Sequence, residues 1–256
     1  MNRWKAMATL ALAGTLGLSA GTEASADCIG NCAGWEAVGE YNGTANDLPK
    51  TVPEGIKFRQ ALAQHTPSWV EDFAWTDDNA WERDFKDPSN GGTDSSWVDD
   101  VDLTLFAGHG TQDGVWFGVN QDDRLFRWSD AELGNKDLEW LILDACLVLS
   151  DNAGKWDRWG WPVFDGLHYI FSYDTVTKDV DTRGRDFVKY AGKYDWRVRD
   201  AWIKATILSE NDTRAAYMRA DNAESNTFDD HLWGHGYVSP DPDNPTTLYY
   251  LSWSTD

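Results

Sequence analysis

Positive charge is scarce in this chain. Its 256 residues carry 22 lysines and arginines against 43 aspartates and glutamates, for a formal net charge of −21. So acidic a surface repels phosphate backbones and anionic bilayers, which argues against nucleic-acid and membrane partners and favours basic ones. Long apolar runs are also missing. After the first two dozen residues no stretch approaches the roughly 20 apolar residues that a spanning helix needs. There is no phosphate-binding glycine loop and no Gly-x-Ser-x-Gly elbow. No EF-hand spacing occurs, so the acid pairs Asp99-Asp100 and Asp122-Asp123 read as a solvated face, with calcium as the alternative. No recognised zinc spacing occurs either, and no cofactor is expected. Repeats and low-complexity tracts are absent.

Cysteine is sparse too, at three residues. The chain opens with Arg3 and Lys5, then the short apolar core "ALAGTLGL", then Ala24-Ser25-Ala26. This is the layout of a secretory signal with cleavage after Ala26. Asp27 stands where a lipoprotein signal wants a small residue. The expectation is a secreted protein of residues 27–256, one domain with a turn-rich end from about 231. In an oxidising compartment Cys28 and Cys32, close together in "DCIGNC", are expected to pair. Cys146 is then left over, as a reactive thiol or an intermolecular bridge. The 16 tryptophans exceed what a globular core needs, so some should line a surface or cleft.

Apolar patterning predicts strands near 35–43, 68–75, 101–107, 140–143, 167–171, 214–220 and 248–253. It predicts helices over 53–65, 181–192 and 195–211. A short helix over 76–85, capped by Asp77 or Asp78, and a helical turn at 129–135, capped by Ser129, complete the pattern. Apolar strands separated by helices give an α/β fold with a mostly parallel central sheet flanked by helices. Ligands of such sheets sit beyond the carboxyl ends of the strands.

Two strands end there in reactive groups. "LTLFAGHG" delivers His109 between Gly108 and Gly110, and "WLILDAC" delivers Cys146. Singly, the first is an ordinary turn and the second an inert buried thiol. If the two strands are neighbours, both side chains emerge on the same edge, and together they are expected to form a nucleophile and its base. The glycines allow a sharp turn and close approach of a substrate carbonyl. The amides of Gly110 and Cys146 are candidates for an oxyanion hole.

These two segments resemble the paired motifs of the caspase-like cysteine peptidases, a superfamily that includes caspases, metacaspases, legumains, gingipains and clostripain. "FDGLHYIFSYDT", "RGRDFVKYAG" and "DAWIKATILS" are similar to the strand and helices that follow the nucleophile there. The resemblance spans about 35–236 and is strongest to exported bacterial proteins of unassigned function. It implies a three-layer caspase-like fold and an endopeptidase with Cys146 as nucleophile and His109 as base. It also implies a strict demand on the residue before the cut, which is Asp, Asn or Arg/Lys in known members; the acidity of this chain points to Arg/Lys. The sequence departs from the pattern after the cysteine, where Leu147 follows and the next glycine is Gly154.

Other candidates surround this pair. Asp144 either lines the site or is buried in a salt bridge. Asp113 is read as a solvated turn residue and His168 as a core residue. Trp233 and His235, with His231, lie in a glycine-rich loop read as framing the substrate cleft. Two other functions stay open: a non-catalytic peptide- or carbohydrate-binding protein on the same fold, and a transpeptidase using the same acyl-enzyme.

Overall fold

A computed structural model describes residues 30–256 apart from Thr66 and Asp122. The expected signal segment and Cys28 lie outside the described residues. Cys32 is disulfide-bonded, and Cys146 is the free cysteine among the described residues. In chain order the strands are β1 (Cys32–Ala37), β2 (Val70–Thr76), β3 (Leu103–Ala107), β4 (Gly110–Thr111), β5 (Gly114–Trp116), β6 (Leu125–Arg127), β7 (Trp140–Asp144), β8 (Tyr169–Tyr173), β9 (Arg214–Asp221) and β10 (Thr247–Ser254). The helices are α1 (Thr51–Leu62), α2 (Arg183–Val188) and α3 (Val198–Ser209).

Seven strands form the central sheet in the order β10-β9-β8-β7-β3-β1-β2. β2, β1, β3, β7 and β8 run parallel. β9 runs against β8, and β10 against β9. β4, β5 and β6 make a small antiparallel sheet of their own. From β1 the chain goes first to β2 on one side and then to β3 on the other. The crevice beyond the carboxyl ends of β1 and β3 is therefore a topological switch point.

Both faces of the sheet are covered, which is why its strands read as continuous apolar runs rather than alternating ones. One face packs Leu103, Leu105, Trp140, Ile142 and Phe171 under Phe58 of α1, Phe187 of α2 and Trp202 of α3. The other packs Phe106, Leu141, Leu143, Ile170 and Met218 under Phe85, Phe126, Trp159 and Val163. The regular helices all lie on the first face. The second is closed by 3-10 turns, by the small sheet and by a π-helical turn at Trp156–Gly160. No helix among the described residues is long and apolar enough to cross a membrane.

Local departures from the expected elements have local causes. The helix expected over 76–85 is two 3-10 turns, Asp77–Asn79 and Glu82–Asp84. Asp77 caps nothing. It sits at φ 50°, and its carboxylate accepts the N–H groups of Gly39 (2.7 Å) and Glu40 (2.9 Å). Ser129 is likewise no cap, since its turn spans Trp128–Asp130 and Arg127 precedes it. β1 ends at Ala37, so "YNGTAND" is loop. α2 stops at Val188 and continues as a π-helical turn, Lys189–Lys193.

At the amino edge of the sheet the core is full of acids. His168 is fully buried, with Asp230 Oδ2 2.6 Å from Nδ1 and Asp241 Oδ1 3.2 Å from Nε2. Burial opposes its protonation, but the two carboxylates outweigh it and hold the imidazole above its ordinary range. Asp94, Asp99 and Asp102 are buried nearby, and burial pushes their carboxyls up to about 8, 7 and 7. The sign is the same for both kinds of group. Each binds its proton more tightly when folded, so stability is full below the unfolded-state values, near 4 for the acids and 6.5 for the histidine, and falls as pH rises past them. Thermal unfolding at fixed ionic strength should therefore give a higher midpoint at pH 5 than at pH 8.5. A midpoint that rises over that interval would contradict this assignment of protons.

Candidate functional site

The switch point holds the two expected reactive residues. β3 and β7 pair in register with Ala107 opposite Asp144. His109 and Cys146 each follow two residues beyond that pair, so they leave the sheet at the same level. Gly108 N–H donates to Asp144 O at 3.2 Å, tying the two exits together. The glycines around His109 are required by contact. A Cβ at Gly110 would lie 2.7 Å from both Ala145 Cβ and Cys146 O, and one at Gly108 would lie 2.8 Å from the Tyr41 hydroxyl.

The imidazole of His109 is held by the loop after β1. Nε2 lies 2.8 Å from Asn46 O. A carbonyl only accepts, so Nε2 carries a proton, and in the neutral ring the lone pair falls on Nδ1. The His109 backbone N–H donates to the Tyr41 hydroxyl at 2.7 Å, and the two rings lie 4.6 Å apart. Tyr41 and Asn46 were not legible as site residues in the sequence. The only signal there was a polar loop directly after a buried strand.

Cys146 Sγ sits between the two backbone groups of Thr177. It accepts from N–H at 3.3 Å and donates to the carbonyl at 3.6 Å. Burial pushes the thiol up from its ordinary range, against the pull of that N–H. Leu147, where the family resemblance favoured glycine, is left-handed at φ 66°. Such a backbone costs a non-glycine residue roughly 1–2 kcal/mol. Its N–H donates to Thr175 O at 3.1 Å, and its carbonyl accepts from Ser150 N–H at 3.0 Å. The amides expected to meet an oxyanion are unspent. Trp116 N–H bonds His109 O at 2.9 Å, which makes Gly110 and Val115 a non-hydrogen-bonded pair and turns Gly110 N–H away from the hairpin. No acceptor among the described residues takes the N–H of Cys146.

A cavity of about 260 Å³ opens beside His109 and Cys146, lined also by Leu48, Gly108, Val176, Thr177 and Asp179 among others; Gly110 stands outside its lining. Asp144 and Arg183 also line it, and they form a buried ion pair. Asp144 thus lines the cavity and is buried in a salt bridge at once. Arg183 reaches Glu210 at 3.5 Å and the Ser209 hydroxyl at 3.1 Å, and its guanidinium lies 4.9 Å over the Tyr173 ring. Glu54 completes the cluster, taking Gly184 N–H at 3.0 Å. Burial first, and then the Asp144 charge, raise its carboxyl well above the ordinary range, so it is a proton donor to Asp144. Asp144 Oδ2 and Asp179 Oδ1 have no N–H or cationic partner.

Trp233 and His235 are elsewhere. β9 runs against the parallel strands, so the loop after it starts at the amino edge of the sheet. There Trp233 Nε1 donates to Glu139, the residue before β7, at 3.1 Å, and Asn31, the residue before β1, donates to Trp233 O at 3.3 Å. His235 Nδ1 pairs with Asp195 at 2.8 Å, and its ring lies 6.3 Å from that of His65, beyond the end of α1. These residues do not frame the Cys146 cavity. Asp113 is exposed and makes no contact with His109. Among the described residues no group of three or more His, Cys, Asp or Glu side chains is arranged to hold a metal ion. Asp99 spends its carboxylate on the N–H groups of Gly134 (2.6 Å) and Lys136 (3.1 Å).

No curated protein sequence matches the chain. A family model described as a domain of unknown function, DUF6345, matches residues 35–255, from β1 to the end of β10, and the chain belongs to that family.

Proposed function

We propose that this protein is a caspase-like cysteine endopeptidase. The observation that carries the reading is that His109, with its lone pair on Nδ1, and the free thiol of Cys146 leave paired strands at one level and line one cavity. Nδ1 takes the thiol proton as Sγ bonds to the substrate carbonyl carbon. The oxygen gains the electron pair and is met by the N–H groups of Gly110 and Cys146. Collapse breaks the C–N bond, the imidazolium protonates the departing amine, and a thioester remains. Water, deprotonated by His109, then hydrolyses the thioester and restores the thiol. Because burial favours the neutral thiol, the proton moves as substrate reacts rather than beforehand.

The cavity supports a basic residue before the cut. Asp144 and Asp179 line it, and the buried Asp179 Oδ1 has no donor. A Lys or Arg side chain supplies that donor. A second reading, a non-catalytic peptide-binding protein, draws on the same half-buried thiol held between the two Thr177 groups.

Peptidyl acyloxymethyl ketones separate the two. Probes ending in Lys or Arg should label Cys146 at least 100-fold faster than probes ending in Asp, and His109→Ala should slow labelling about 100-fold or more. Labelling at the rate of a simple exposed thiol, unchanged by His109→Ala, leaves only the binding reading. Gly110→Ala should lower labelling by about 100- to 1000-fold, because the added methyl displaces an oxyanion donor. Bulk thiol titration of that variant should still count Cys146. Asp179→Asn should cost the basic probes about tenfold, the worth of one charge-assisted hydrogen bond, and leave the Asp probe unaffected.

A further inference from the structure

We infer that Tyr41 is a positioning residue for His109, setting where the base stands without touching substrate. This rests on the proposed Cys146–His109 pair. The reason begins with the glycines. Gly108 and Gly110 are needed so that Tyr41 and Cys146 can approach, but a residue between two glycines has little steric restraint on its backbone. The restraint on His109 must therefore come from bonds. Its N–H has one partner, the Tyr41 hydroxyl at 2.7 Å. The same hydroxyl donates to Trp116 O at 3.4 Å, and Trp116 N–H returns to His109 O at 2.9 Å. One phenol thus closes the turn between β3 and β5 from the inside.

Tyr41 is itself fixed. It is 1% exposed. Its N–H donates to Asp47 at 2.9 Å, and its carbonyl accepts from Thr44 N–H at 2.9 Å and the Thr44 hydroxyl at 2.6 Å. Burial pushes its ionisation above the ordinary phenol range, so the hydroxyl keeps the proton it donates. Its ring lies 4.6 Å from the imidazole at 50° and limits how far that ring can turn. The loop that carries Tyr41 also carries Asn46, whose carbonyl holds Nε2. Backbone, ring plane and tautomer of His109 are then set by one hydrogen-bonded loop. Displacement of a reacting group by an ångström costs about 100-fold in rate, so such a clamp has a measurable effect.

The test compares Tyr41→Phe, which keeps the ring and removes the hydroxyl, with Tyr41→Leu, which removes both. The probe is the lysyl acyloxymethyl ketone, read as a maximal inactivation rate and a separate binding constant. Tyr41→Phe should lower the maximal rate about 10- to 100-fold with the binding constant within twofold of the parent. Tyr41→Leu should approach the rate of His109→Ala. A general loosening of the fold would instead weaken binding and lower the unfolding midpoint of the conservative Phe variant. A second readout needs no reactive thiol. In ¹⁵N spectra the His109 ring should show a single Nε2–H tautomer in the parent and a mixture in Tyr41→Leu. If His109→Ala leaves labelling unchanged, the pair itself is wrong, and the ring spectra still report on Tyr41. If both Tyr41 variants keep the parent rate and the parent tautomer, Tyr41 only packs and the inference is overturned.

Discussion

The parallel pairing of β3 with β7 is the constraint on which the rest of the molecule depends. Its register sets Ala107 against Asp144 and so fixes the height at which each strand releases its next residues. A slip of one residue would turn every following side chain to the other face of the sheet. His109 would then leave the sheet out of level with Cys146. The register is secured by burial on both sides: Leu103, Leu105, Trp140 and Ile142 face the helices, and Phe106, Leu141 and Leu143 face the turn-rich layer. The site is thus a by-product of core packing, placed where five parallel strands end together.

Below that edge the same strands carry an electrostatic problem. Asp144 is the last residue of β7 on the helix face and is nearly inaccessible, as is Arg183 at the start of α2. Removing either would strand the other's charge in the interior, at a cost of about 3–5 kcal/mol. Glu54 at the start of α1 and Glu210 just after α3 share the guanidinium's surroundings, and Glu54 enters as a neutral acid. The first helix of the sheet face and the helices after β8 are joined through this cluster. The floor of the cavity is therefore also a structural joint, and its charge cannot be altered freely to suit a substrate.

Much of this was legible in the amino-acid order, and the failures have identifiable causes. The strands ending in His109 and Cys146 were visible because burial on both faces demands unbroken apolar runs. The helices α1 and α3 followed from apolar spacing. Trp233 and His235 were misplaced because nothing in "RAAYMRA" indicates that β9 runs backwards, and direction alone decides which edge its following loop occupies. Tyr41 and Asn46 escaped because their roles depend on a backbone carbonyl and on a phenol reaching across a missing Cβ. Neither leaves a pattern in sequence. The short helix near Asp77 failed because its carboxylate serves the N–H groups of a distant loop rather than its own turn.

The two Thr177 backbone groups that bracket Cys146 have one more effect. Sulfur is oxidised chiefly as thiolate, the form that burial here disfavours. With Sγ bracketed by a peptide group and its thiol form favoured by burial, the proposed nucleophile resists oxidation for the same physical reason that it needs a base. In the proposed enzyme, tolerance of oxidants and dependence on His109 would then be two readings of one energetic fact: the sulfur holds its proton until something in the cavity draws it away.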